Sequence, residues 1–264
     1  MLRPLVLVPM LALAGLAGAS PSRQAAPPAA PGQAAPPSQN YDSTASDPAA
    51  TGFLTGVVDK RLYSIEAAGA TKLFATVHAA WDGRADVPPP VDFETACDYA
   101  AGSVTSRPTA AVPDAVKPLL PSLYALAHSV FAFNPSRADG SFILSTAQED
   151  ELTRIDFKPR SSLSTEKSHS EWYRRDGTPV KRKFETMTAT GAVAVREVVP
   201  EFTEADGRLL LKSMKAADPK VRLSIDFEYE KVDGGFRALK RLVQTTDDVR
   251  VVLDFKVKIE VAQK

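Results

Sequence analysis

Two runs near the C-terminus alternate apolar and polar residues almost without a break, and they constrain the fold more than any other stretch. In 221–231, Val221, Leu223, Ile225, Phe227 and Tyr229 share one parity, while Arg222, Ser224, Asp226, Glu228 and Glu230 share the other. In 250–261, Val251, Leu253, Phe255, Val257, Ile259 and Val261 alternate with Arg250, Asp254, Lys256, Lys258 and Glu260, and Val252 is the one exception. Side chains of a strand point to opposite faces in turn, so a period of two sets one apolar face on a core and one charged face in water. Between these runs, 236–246 is a weaker strand, entered by Asp233-Gly234-Gly235 and left by Asp247-Asp248. The three segments predict an antiparallel meander.

The N-terminus constrains the compartment. Arg3 precedes an apolar stretch, 5–19, broken only by Pro9, and Ala17-Gly18-Ala19 is a small-x-small cleavage pattern before Ser20. This predicts a secretory signal peptide over 1–19, too short for the roughly 20 apolar residues of a membrane anchor. No later segment is apolar enough to span a bilayer, so the mature chain is expected to be periplasmic or secreted. Residues 20–50 are mostly Ala, Pro, Ser and Gln; they hold too few large apolar groups to offset the entropy of ordering, and are expected to form a disordered linker.

Residues 51–264 remain for one domain, with 30 basic and 30 acidic side chains. That balance argues against a nucleic-acid binder, which normally carries a basic excess. The lone Cys97 excludes an internal disulfide and is expected to act as a small buried apolar group.

Residues 51–68 are expected to form an amphipathic helix capped by Thr51 or Thr55, with Phe53, Val57, Leu62 and Ile65 near helical spacing. A strand over 71–81 follows. The stretch 91–103 is ambiguous, and 105–113 reads as loop. Leu123, Tyr124, Leu126, Ala127, Val130, Phe131 and Phe133 predict a buried helix starting near Ser122, after Asp114, Pro118 and Pro121. From Ser141 onward, turn signals recur every dozen residues or so. Asp176-Gly177 and 204–207 are the clearest hairpins, and about nine strands lie between such signals. The fold class is α+β: a large curved antiparallel sheet packed against a few helices.

Further features appear in a recognisable order. They are Phe157-Lys158-Pro159, then Glu171-Trp172-Tyr173-Arg174-Arg175-Asp176-Gly177-Thr178-Pro179, then Phe227-Glu228-Tyr229, then Gly235-Phe236-Arg237-Ala238-Leu239-Lys240-Arg241 and a last apolar strand. This order resembles the outer-membrane lipoprotein-sorting carrier superfamily, the LolA-like fold, over about 141–264. Lys240 stands where members commonly have a proline. The resemblance implies a half-barrel sheet, covered by helices, around an apolar cavity for acyl chains. It places Phe227, Tyr229, Val251, Leu253 and Phe255 on the concave side, beneath the helix holding Tyr124 and Phe131.

No catalytic motif accompanies this framework. His78, His128 and His169 have no partner at metal-ligand spacing, and neither a G-x-S-x-G elbow nor a phosphate-cradling glycine loop occurs. No cofactor is expected. Glu228 and Glu230 share the polar face of their strand and are expected in solvent. Arg174, Arg175, Lys181, Arg182 and Lys183 bracket one hairpin, where they would contact anionic headgroups, peptidoglycan or an acidic envelope partner, or simply keep the strands from associating edge to edge. The expected function is a non-enzymatic envelope binding protein that carries lipid or another hydrophobic ligand. The alternative is an envelope interaction module with a filled core and no ligand. A secreted hydrolase has no motif behind it.

Overall fold

The computed structural model describes residues 42–82, 87–131, 142–161, 166–187, 191–247 and 249–261, without the side chains of 129–131 and 166. The proposed signal peptide and most of the proposed linker lie outside these residues.

Twelve strands form one open, curved antiparallel sheet. They are β1 (Ala70–Asp82), β2 (Val91–Asp98), β3 (Ser103–Pro108), β4 (Phe142–Glu149), β5 (Leu152–Pro159), β6 (Glu166–Tyr173), β7 (Pro179–Met187), β8 (Val193–Ala205), β9 (Arg208–Ala216), β10 (Ser224–Lys231), β11 (Arg237–Thr245) and β12 (Arg250–Val261). The nine strands expected after Ser141 are β4 to β12. Their order is a continuous meander from β4 to β12, after which β1, β2 and β3 are added beside β12. The expected C-terminal meander is therefore interior to the sheet. Its first strand begins at Ser224 rather than Val221, because the chain is still turning there: Val221 N–H donates to the Asp218 carbonyl. Lys240 is the extra residue of a bulge, since Glu228 pairs with Arg241 and Tyr229 with Leu239. Such a bulge bends the strand and sharpens its twist.

The ambiguous stretch 91–103 holds strand β2 and the turn after it, and part of the expected loop over 105–113 is edge strand β3. Its apolar alternation is too weak to read. Cross-strand pairs hold it instead: Arg107 with Glu94 at 2.8 Å, and Ser106 Oγ with Thr95 Oγ1 at 2.9 Å.

Helix α1 begins as α-helix over Pro48–Phe53, widens to a π-turn over Leu54–Val58 and closes with Asp59–Arg61. Asp47, not Thr51 or Thr55, is its cap: the carboxylate accepts from Ala49 N–H, and Pro48 occupies the first turn, where its missing N–H costs nothing. The buried residues Ala50, Leu54, Val58 and Leu62 fall every fourth position. In an α-helix that stripe drifts about 40° per turn, and the wider i→i+5 turn, with Asp59 N–H donating to the Leu54 carbonyl, takes back part of the drift. The helix ends before the expected Ala68, because Leu62 turns extended and bridges Leu209. The boundary expected at residue 51 also moves. Asp42 N–H donates to the Arg160 carbonyl, Asp47 N–H to the Leu144 carbonyl, and Ser46 Oγ accepts from Leu144 N–H, so 42–47 lie along edge strand β4.

Helix α2 (Leu120–Phe131) follows a 3₁₀ turn at Lys117–Leu119 and starts two residues before the expected Ser122. Asp114 does not cap it; its carboxylate pairs with Lys117 at 2.7 Å. Leu123, Leu126 and Ala127 are fully buried against the sheet.

Candidate functional site: the inner face of the sheet

The strand register assembles the apolar parity of each strand into rows across the sheet. One row runs Val91, Ala79, Leu253, Leu242, Phe227; the next runs Trp81, Val251, Gln244, Ile225, Met214. With α2 above them, these side chains apart from Gln244 form one continuous apolar cluster. The second cluster lies on the same face at the other end, where α1 covers Phe142, Leu144, Ile155, Phe157, Tyr173 and Leu209.

Of the residues proposed for ligand contact, Leu253 is 0 % exposed, Val251 1 %, Phe255 3 % and Phe227 7 %. Tyr124 and Tyr229 are half-buried and pack on the same cluster. The Tyr124 ring meets Phe93 edge-on at 5.0 Å, and burial raises both tyrosine phenols above their ordinary pKa. The Phe131 side chain lies outside the described residues. Cys97 is buried, and Glu228 and Glu230 are exposed.

Three polar atoms on this face have no hydrogen-bond partner among the described residues although they are shut off from solvent: Trp81 Nε1, Gln244 Oε1 and the Tyr124 hydroxyl. Trp81 and Gln244 stand in one row, on either side of Val251. Buried polar groups are ordinarily paired, which sets these three atoms apart from the cluster around them.

The basic hairpin does not act as one patch. Arg174 and Arg175 are exposed, Lys181 Nζ sits 4.1 Å over the Trp172 ring, and Lys183 pairs with Glu185 at 3.0 Å. Arg182, expected at the surface, is 1 % exposed and points inward, because it shares parity with Phe184. It belongs to a buried polar group that motif reading missed: Glu171, Tyr173 and His169 on β6 face it, and the Tyr173 hydroxyl donates to Glu171. The available clue was parity alone, since His169, Glu171 and Tyr173 alternate with Ser170 and Trp172.

His78 Nδ1 lies 2.6 Å from Asp92 Oδ1 on the surface, and His128 Nε2 lies 2.7 Å from Ser106 Oγ. No group of three or more His, Cys, Asp or Glu among the described residues is placed to hold a metal, and no described helix is long and apolar enough to cross a membrane. On the outer face, Phe74, Glu94, Ala96, Arg107, Lys256 and Lys258 line a groove of about 480 Å³.

The fold is an open antiparallel sheet with one apolar side covered by helices. The chain matches no family model and no curated protein. Among solved structures it is similar to a DUF1329 family protein from Desulfovibrio piger, with 8 % identity over 84 % of this chain and 96 % of that one and a TM-score of 0.40. It is also similar to a LolA superfamily protein from Nitrosomonas europaea, with 8 % identity over 81 % and 94 % of the two chains and a TM-score of 0.35. Both TM-scores lie below 0.5, so the functional reading rests on the inner face itself.

Proposed function

We propose that this chain is an exported, non-enzymatic binding protein of the cell envelope that carries lipid or another hydrophobic ligand against the inner face of its sheet. The supporting observation is the trio of sealed polar atoms, Trp81 Nε1, Gln244 Oε1 and the Tyr124 hydroxyl, set in an otherwise apolar surface. A ligand sliding between α2 and the rows of β12, β11 and β10 would touch Tyr124, Phe227, Tyr229, Val251, Leu253 and Phe255. It would offer those atoms the partners that the side chains do not. Apolar pockets with a few convergent polar groups are the usual form of a small-molecule site.

The second reading, an envelope interaction module with a filled core, is favoured by the near-complete burial of Leu253, Val251 and Phe255. Phe255→Ala separates the two. In a filled core it costs ~3–5 kcal/mol of unfolding free energy. In a carrier the stability loss is well below that, binding of a fluorescent fatty acid weakens, and the exported protein copurifies with lipid detectable by mass spectrometry. Absence of both lipid and probe binding, together with the full core penalty, would refute the carrier. Export itself is read from the mature N-terminus, expected at or near Ser20.

A further inference from the structure

Arg196 stands on the inner face of the sheet with no counter-ion among the described residues. Along β8, Ala194, Arg196, Val198, Pro200 and Phe202 point inward, while Val193, Val195, Glu197, Val199 and Glu201 are exposed. The register sets Arg196 opposite Phe184, Phe184 opposite His169 and His169 opposite Phe157. The rings along that line touch: Phe157 stacks on His169 at 4.0 Å, and His169 lies 5.6 Å from Phe184. A strip of aromatic rings thus runs across the inner face and ends at a guanidinium.

Two arginines share this side of the sheet, and they differ in company. Arg182 is matched by Glu171, with Nε 3.3 Å from Oε1. Arg196 is half-buried and has neither an ion pair nor a hydrogen bond among the described residues. Desolvation lowers its pKa, yet a guanidinium remains charged at any physiological pH. Withdrawing a charge from water without a partner is unfavourable, and an incoming anion removes that penalty. The planar fork of arginine accepts a carboxylate or a phosphate through two parallel hydrogen bonds.

We propose that Arg196 binds the anionic head, carboxylate or phosphate, of an amphiphilic ligand whose acyl chain lies along the inner face. This rests on the carrier reading above and adds to it the class of ligand: a charged amphiphile rather than a neutral one.

The test uses three fluorescent probes of equal chain length: a fatty acid, the matching alkyl phosphate, and the methyl ester of the acid. Wild type is expected to bind at least one anionic probe about tenfold more tightly than the ester, the size of a charge-assisted hydrogen bond. Preference for the acid alone assigns a carboxylate, and for the phosphate alone a phosphate. Arg196→Gln is expected to abolish the preference while ester affinity stays within about twofold. Should the Gln variant fail to fold by circular dichroism, Arg196→Lys serves instead, because it keeps the charge, loses the fork and should reduce the preference. Equal wild-type affinity for all three probes overturns the role of Arg196 and leaves the carrier reading standing. So does a preference that is undiminished in the variant. Failure to bind any probe, with no copurifying lipid, overturns both.

Discussion

Arg182 on β7 and Glu171 on β6 face each other across the sheet, both buried, with Nε 3.3 Å from Oε1. The same carboxylate accepts from the Tyr173 hydroxyl and lies 4.0 Å from His169 Nε2. Burial and the neighbouring Glu171 charge hold the Tyr173 phenol well above its ordinary pKa, so it remains a donor. Removing one member of a buried pair strands the other charge. Glu171→Ala is therefore expected to lower unfolding free energy by ~3–5 kcal/mol, measured by urea denaturation. The double change Glu171→Leu with Arg182→Met should lose much less, since replacing both charges by apolar groups is often nearly neutral. A single-variant loss under about 1 kcal/mol would place the pair among surface-type bridges instead.

Gly177 joins the β6–β7 hairpin to α1. Its φ is +81°, and a Cβ there would lie 3.1 Å from Val57 Cγ1 and 3.2 Å from the Val57 carbonyl. Gly177→Ala meets both the left-handed backbone cost, ~1–2 kcal/mol, and a backbone that cannot step aside. The expected outcome is a loss of at least that size, with faster amide exchange in α1. Unchanged exchange there would separate the hairpin from the helix.

His128 sets a pH dependence. Burial lowers its pKa below the ordinary 6.5. The unfolded chain then takes up a proton near 6.5 that the folded chain refuses, so unfolding is favoured as pH falls. The contribution is whole above the unfolded pKa and is lost as pH drops through 6.5 toward the folded value, with a slope of at most about 1.4 kcal/mol per pH unit. Denaturation between pH 8 and pH 5 should show this fall, and His128→Gln should flatten it. An identical profile in the variant would assign the slope to other groups.

Truncation tests where the fold begins. Ala50 is fully buried, and 42–47 bond to β4 and to the end of β5. A chain starting at 42 should unfold at the midpoint of a chain starting at 20, because composition offers the removed residues little to bury. Starting at 51 should lower the midpoint clearly, since it deletes the Asp47 cap and bares the Leu144 backbone. Coincident midpoints for all three would contradict the docking.

Much of the sheet was legible because β structure repeats every two residues. Val251, Leu253 and Phe255 lie on one face whatever their partners, and Asp176-Gly177 marks its turn locally. Strand β3 was not legible: Ser103 to Pro108 holds little apolar alternation, and what fixes it is Glu94 and Thr95 on the neighbouring strand. Helix α1 was placed in the right region with the wrong buried stripe. Its exit at Leu62 depends on Leu209, almost 150 residues later.

Among the residues named for ligand contact, parity groups Phe227, Tyr229, Val251, Leu253 and Phe255 on their strands, and in the structure they pack with Tyr124 of α2 in one cluster. Arg182 was misjudged because a basic run in a sequence looks like a surface patch, whereas the pleat sends every second member inward. Trp81, Gln244 and Arg196 carry no motif. Their interest is the absence of a hydrogen-bonding partner among the described residues, a property of the assembled face.

The sequence by itself determined the period of each strand, the positions of the clearest turns and hence which side chains share a face, because these depend on neighbours two to four residues away. Only the tertiary structure decided that β1 closes on β12 and which charges are answered. Pairing distant strands is a contest among many registers, and the strands that win decide which charges meet.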